Sequence, residues 1–140
     1  MRVEVLYISR GGTTRMLAEA IAEEVKTRPK DLMKNPKISD FDIAFIGSGN
    51  YGVEPDNEIV GITEKVKIKD KKIAIFGTFG GQFNAVTEME DIFRKAGAKI
   101  IGKWGCRGKF MFFSRKGPTK KDLEAARKFA KSILRAKKSK

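Results

Sequence analysis

The sequence predicts an α/β fold, a doubly wound, five-stranded parallel sheet whose second strand is short. Three observations predict it. Apolar runs of strand length alternate with amphipathic runs of helix length along all 140 residues. The connections are short, so each crossover returns a helix onto the sheet in the right-handed sense, with helices on both faces. Glycine-rich loops follow directly on the first, third and fourth strands, at the edge where such sheets bind ligands. With 41% hydrophobic residues, the chain is long enough for one real core and too short for two, so residues 1–140 are read as a single domain.

The elements justify themselves in turn. Residues 3–8, Val-Glu-Val-Leu-Tyr-Ile, form the first strand. Residues 14–25 form a helix, because Leu17, Ala18, Ile21, Ala22 and Val25 repeat at the spacing of one apolar face, with Arg15, Glu19, Glu23 and Glu24 largely opposite. Between Pro29 and Pro36 only residues 30–33 look extended, which makes the second strand brief and places it at an edge. Residues 41–47 are continuously apolar after Asp42, as a strand buried on both faces must be. A helix follows over roughly residues 56–66, and residues 72–77 form the fourth strand. The next helix runs through Ala96 with Val86, Met89, Ile92 and Phe93 inward, and Gly97 stands where a left-handed C-cap is needed. Residues 99–105 form the last strand. Residues 119–136 form the last helix, opened by Pro118 and by Thr119 with Asp122 three positions on.

Composition removes several chemistries. One cysteine, Cys106, excludes an internal disulfide and any multi-cysteine metal or redox centre. The absence of histidine excludes Ser-His and Cys-His nucleophile pairs and histidine zinc sites. Any redox role therefore falls to a bound organic cofactor. No apolar run approaches the roughly 20 residues that span a bilayer, and Met1-Arg2-Val3-Glu4 leads straight into a strand rather than a signal peptide. The expected location is cytoplasmic. The net charge of +13 is uneven: residues 103–140 hold 14 Lys and Arg against 2 Asp and Glu, and so carry +12 of it.

The first loop, Ser9-Arg10-Gly11-Gly12-Thr13-Thr14, has the makings of a phosphate site. Its glycines let the backbone turn sharply and approach an anion, its hydroxyls add donors, and the helix behind it aims free N–H groups and a positive dipole end at the same place. A plain strand-to-helix turn capped by Thr13 is the alternative. No lysine of a nucleoside-triphosphate loop is present and the dinucleotide spacing is missing, which points to a monophosphate ligand. The second loop, Ser48-Gly49-Asn50-Tyr51-Gly52, and the third, Thr78-Phe79-Gly80-Gly81, fall at the same edge. Three loops of this composition converging there argue against three ordinary turns.

Over essentially its whole length the chain resembles the flavodoxin family. The family's phosphate loop reads Ser/Thr-x-Thr-Gly-Asn-Thr; Ser9, Gly12 and Thr14 match it, while Gly11 and Thr13 replace the usual Thr and Asn. Gly47-Ser48-Gly49-Asn50-Tyr51-Gly52 is similar to the family's Gly-Ser-Pro-Thr-Tyr/Trp-x-Gly loop, and Phe76 to Gly81 resembles its third flavin-contacting loop. The resemblance implies strand order 2-1-3-4-5 and non-covalent FMN as cofactor in an electron-transfer protein or small oxidoreductase. It further implies that Tyr51 stacks on the flavin, that Phe79 and Gly80 N–H groups meet its pyrimidine oxygens, and that Gly52 lets the following peptide reorient on reduction. Flavodoxins are usually acidic, and the basic residues 103–140 depart from that. They suit docking to an acidic redox partner. The alternative is a nucleic-acid or acidic-protein binding module on the same fold, for which the basic and aromatic run 104–116 offers stacking. A nucleic-acid binder has no need of the three ligand loops.

Overall fold

The computed structural model describes residues 2–8, 13–32, 34, 40–48, 68–79, 85–107 and 119–138. In chain order these form β1 (Val3–Ile8), α1 (Thr13–Val25), β2 (Pro29–Asp31), β3 (Ile43–Ser48), β4 (Lys72–Phe79), α2 (Ala85–Lys95), β5 (Lys99–Arg107) and α3 (Lys120–Lys138). The expected helix over 56–66 lies outside the described residues. The described strands are all parallel, in the order β2-β1-β3-β4-β5. Among the described residues no helix is long and apolar enough to cross a membrane.

Strict alternation along each central strand divides the core into two layers. Leu6, Ile8, Ala44, Ile46, Ile73 and Ile75 face one side, where Val86, Met89 and Phe93 of α2 cover them. Val5, Tyr7, Ile43, Phe45, Ala74 and Phe76 face the other, under Leu17, Ala18, Ile21 and Ala22 of α1 and Ala126, Ala130 and Ile133 of α3. Every residue of β3 is buried, the state its unbroken apolar run requires. The apolar stripes expected for α1 and α2 are the faces that pack; Ile92 and Val25 sit at their margins, partly exposed.

Several boundaries differ from those expected, each for a physical reason. The second strand is Pro29–Asp31 rather than 30–33; proline is tolerated as the first residue of an edge strand, where its missing N–H leaves no ladder bond unmade on the open side. β3 starts at Ile43 because the N–H groups of Asp42 and Ile43 both donate to the Arg2 carbonyl, at 2.9 and 3.2 Å, which holds the chain just before the ladder. At the other end Ser48 closes β3, and Thr78 and Phe79 close β4, although all three read as loop. The cause is the neighbouring strands: Ser48 pairs with Ile8 and Gly77, and β5 continues to Arg107 and pairs Cys106 with Thr78 and Arg107 with Phe79. β5 also carries an irregularity no periodicity announced. Ile73 pairs with Ile100 but Ala74 with Gly102, so Ile101 is the extra residue of a bulge.

Both α1 and α2 end in a Schellman turn. In α2 the Ala98 N–H reaches the Phe93 carbonyl and the Gly97 N–H the Arg94 carbonyl, each at 3.0 Å, with Gly97 at φ 92°, as its position predicts. In α1 the same pair of bonds, Thr27 to Ala22 and Lys26 to Glu23, turns on Lys26 at φ 60°, a residue with a Cβ. The α3 start is a reciprocal capping box: Thr119 N donates to Asp122 Oδ2 at 2.9 Å and Asp122 N to Thr119 Oγ1 at 3.2 Å.

The two turns set up opposite outcomes. Lys26→Gly relieves a left-handed conformation that costs a side-chain-bearing residue about 1–2 kcal/mol, partly offset by about 0.5–1 kcal/mol of glycine entropy, so the free energy of unfolding in urea should rise by about 0.5–1 kcal/mol. Gly97→Ala should lower it by about 1 kcal/mol or more, because the new Cβ is strained by its φ and meets Lys69 Cγ at 3.0 Å. Equal effects in the two variants would contradict the assignment of the turns.

Candidate functional site

The parallel sheet brings its strand ends to one edge. Register places Ile8 opposite Ser48 and Ser48 opposite Gly77, so β1 and β3 finish level. β4 and β5 run two residues further, to Phe79 and Arg107, about 6–7 Å beyond that line. The edge is therefore a step, low over β1 and β3 and high over β4 and β5. The sheet also reverses direction here, since the chain leaves β1 outward to β2 and returns on its other side to β3. Such a switch point opens a crevice between diverging connections.

α1 begins at Thr13, five positions after the last residue of β1, and turns its amino end toward this low side of the step. Its first turn contains no acidic residue, so nothing in it cancels the positive end of the dipole. Arg15 there pairs with Glu19, one turn on, at 2.9 Å. Two hydroxyl residues are buried at the same edge: Thr14 is 1% exposed and Ser48 fully buried. Buried hydroxyls, helix N–H groups and an acid-free helix start form a donor set suited to an anion such as a phosphate.

Of the residues the sequence singles out, Thr13 and Thr14 open α1, Ser48 ends β3, and Thr78 and Phe79 end β4. The structure brings these ends together along one edge. Ser9, Arg10, Gly11, Gly12, Gly49, Asn50, Tyr51, Gly52, Gly80 and Gly81 lie outside the described residues. They occupy the stretches that begin where β1, β3 and β4 stop. One position at this edge has a role that the sequence alone did not define: a Cβ on Gly77 would stand 2.5 Å from the Ser48 carbonyl oxygen and 3.4 Å from side-chain carbons of Met89 and Val86. A glycine inside an apolar strand is the available signal for such a close approach. On the opposite layer the Phe76 ring occupies the space beside Gly47, where no side chain would fit. Just below the edge, burial raises the Tyr7 phenol above its ordinary pKa, with Asp31 adding to the rise.

A family profile described as a flavodoxin domain matches residues 4–114. An uncharacterized protein of Methanocaldococcus jannaschii is 28% identical, over 96% of this chain and 99% of its own. Among solved structures, a flavodoxin from the domain Archaea superposes with a TM-score of 0.78 at 17% identity, covering 97% of this chain and 98% of that one. Rubredoxin:oxygen oxidoreductase from Desulfovibrio gigas gives 0.80 at 19% identity, but 98% of this chain corresponds to only 36% of that protein. A flavoprotein in complex with FMN from Lactobacillus acidophilus gives 0.61 at 20% identity, over 74% of this chain and 92% of its own. At these identities the structural likeness establishes the fold.

Two outcomes follow from the site's surroundings. Gly77→Ala should lower stability by about 1–3 kcal/mol in chemical denaturation, because the Ser48 backbone, unlike a flexible side-chain tip, cannot swing aside; a change within about 0.5 kcal/mol would show that β3 and β4 separate freely. For Tyr7 the folded pKa is raised, so its contribution is whole below the unfolded value and is lost as pH rises through the folded one. Unfolding curves between about pH 8 and pH 11 should decline less steeply for Tyr7→Phe than for the wild type. Parallel curves would remove Tyr7 from the alkaline limb.

Proposed function

The chain belongs to the flavodoxin-domain family, and from that premise we propose that it is an electron-transfer flavoprotein whose redox chemistry is carried by non-covalently bound FMN. The observation that carries the proposal is the convergence of the β1, β3 and β4 ends with the acid-free start of α1 at a topological switch point. In this reading Ser9, Arg10, Gly11, Gly12, Thr13 and Thr14 hold the phosphate. Each charge-assisted hydrogen bond to it contributes roughly 1.5–3 kcal/mol. Ser48, Gly49, Asn50, Tyr51 and Gly52 form one wall of the flavin slot, with Tyr51 stacked on the ring for about 0.5–1.5 kcal/mol beyond its buried area. Thr78, Phe79, Gly80 and Gly81 form the other, where the high side of the step gives the slot its depth.

FMN supplies the electron chemistry, and the chain supplies position and potential. The lack of any histidine suits a protein that passes electrons and leaves proton transfer to others. The flavoprotein of Lactobacillus acidophilus, solved in complex with FMN, supports the choice of cofactor. We further read residues 1–140 as a single cytoplasmic domain that meets an acidic redox partner through the basic residues 103–140.

The test is a titration of the purified protein with FMN, followed by visible absorption and by quenching of flavin fluorescence. The wild type should bind, and Gly12→Asp should weaken binding at least about tenfold, or 1.4 kcal/mol, by placing a carboxylate against the phosphate. Unchanged affinity in that variant would reject the phosphate assignment, and no binding by the wild type would reject the proposal.

A further inference from the structure

Helix α3 divides cleanly by face. Ala126, Ala130 and Ile133 are buried against the sheet, Phe129 meets Phe45 edge-on at 6.0 Å, and Trp104 of β5 stacks on Phe129 at 6.4 Å. Ile133 and Phe129 also fill the space beside Gly102, so the helix cannot roll without a collision. On the outer side Lys120, Lys121, Glu124, Lys128, Lys131 and Arg135 are all exposed. At 100° per residue they fall within about 100° of arc and run about 22 Å along the helix. Five cations and one carboxylate thus form a single stripe.

Several cations elsewhere on the surface are held in ion pairs. Lys71 faces Asp40 at 2.7 Å, Lys95 faces Asp91 at 3.0 Å, and Lys103 and Arg94 share Glu90 at 2.8 and 2.9 Å. On α3, Arg127 faces Glu23 at 3.7 Å, but no ion pair among the described residues involves Lys120, Lys121, Lys128 or Lys131. Two of the four stand in the first helical turn, where a cation opposes the dipole at a cost of about 0.3–1 kcal/mol each. Helix stability does not explain their placement.

The stripe also starts at the right level. Ile133 lies beside Gly102 and Phe129 beside Trp104, so α3 runs antiparallel to β5 and its first turn points to the carboxyl edge. Lys120 is about 13 Å further up the helix than Phe129, and Arg107 is about 10 Å further up the strand than Trp104. Lys120 and Lys121 therefore stand level with the end of the sheet. In the first turn of α1, at the same edge, Met16 is 41% exposed, the large apolar side chain that the described surface leaves open.

We infer that the outer face of α3 is a docking surface for an acidic electron-carrier protein, with Lys120 and Lys121 next to the electron-exchange edge and Lys128, Lys131 and Arg135 steering the approach. The inference rests on the electron-transfer reading above. A protein partner fits better than a nucleic acid for two reasons on this face. Glu124 interrupts the stripe about 6 Å from its start, where an unbroken line of phosphates would be repelled but a protein can present a cation or nothing. The aromatic ring of α3 is turned inward onto Trp104, so among the described residues the stripe has no base-stacking platform. A membrane surface is disfavoured because the apolar face such a helix would insert is already buried against the sheet.

The test uses the full-length protein loaded with FMN and a reduced acidic rubredoxin as the probe partner, mixed in a stopped-flow instrument at several salt concentrations. The wild-type second-order rate should fall steeply with salt. The variant Lys121→Glu/Lys128→Glu/Lys131→Glu should react at least about tenfold more slowly at low salt and lose most of its salt dependence, while its photoreduction by the uncharged 5-deazariboflavin, which needs neither docking nor charge steering, stays at the wild-type rate. Glu124→Lys should move the protein rate the other way. An unchanged rate and salt slope in the triple variant would overturn the inference. A thermal unfolding curve for the triple variant separates lost docking from lost structure, and Glu124→Lys supplies a gain that misfolding cannot imitate. Binding of unloaded protein to the same rubredoxin, followed by calorimetry, reads the surface independently of FMN: a stripe-dependent complex with no FMN binding would sink the cofactor reading and keep the docking one. Tight binding to single- or double-stranded DNA at physiological salt, lost in the triple variant, would assign the stripe to nucleic acid and overturn the inference.

Discussion

Burial of β1, β3 and β4 on both faces is the constraint from which the rest of the structure follows. A strand such as β3, without one exposed residue, needs an apolar layer above and below it. The chain available to build two layers is the chain that links the strands and the segment that follows the last of them. Each strand must then be followed by a segment that crosses a face and returns in the same direction, which makes the sheet parallel and gathers all strand ends at one edge. The site's location is thus a consequence of how the core is covered. The close fit at Gly77 and Gly47 belongs to the same constraint: where two layers press on adjacent strands, there is room for backbone and no room for a Cβ.

What was legible in the sequence is what this constraint writes into it. Unbroken apolar runs announce β3 and β4, and the 3.6-residue repeat announces α1 and α2, because each is required by burial. β2 left no such mark. Its three residues are Pro29, Lys30 and Asp31, and it is a strand because β1 offers it an unfilled edge: Lys30 lies opposite Leu6 and reaches Glu4 at 3.1 Å. The ends of β4 misled in the opposite direction. Thr78 and Phe79 stand next to Gly80 and Gly81 and share their loop-like composition, yet their pairing is settled by how far β5 extends. The left-handed Lys26 has no local signature, since glycine, the usual marker, is absent there, whereas the bulge at Ile101 lies beside Gly102, a glycine within a strand that could have announced it. At the site, the hydroxyl residues Thr14 and Ser48 were legible from their places at a helix start and a strand end, whereas the packing role of Gly77 depends on a neighbour 29 residues earlier in the chain.

Charge is distributed by the same logic. Around α2 and the amino edge of the sheet, acids and bases are interleaved and meet across short gaps, as on Glu90, where hydrogen bonds from Lys103 and Arg94 hold the carboxyl below its usual pKa. Such pairs are exposed and screened, contribute little stability, and leave little field. α3 has the opposite arrangement: its apolar face is fixed by interlocking with Gly102 and Trp104, and the charge it carries outward is mostly uncompensated by neighbours. The rigid inner face gives the outer stripe a defined direction.

The two halves of the functional reading, an anion site in the crevice and a basic stripe on a helix, meet through chain direction. Because every strand points to one edge, every helix that returns across a face must start there, so α1 and α3, side by side on the same layer, both turn their positive ends toward it. An acid-free first turn on α1 and two lysines in the first turn of α3 add to a field the backbone already makes. Reversing the direction of either helix would bring its negative end to the edge and oppose both a bound phosphate and an approaching acidic surface. The polarity that a parallel sheet imposes on its helices thus suits both halves of the proposal, a small anion in the crevice and an acidic surface against its rim.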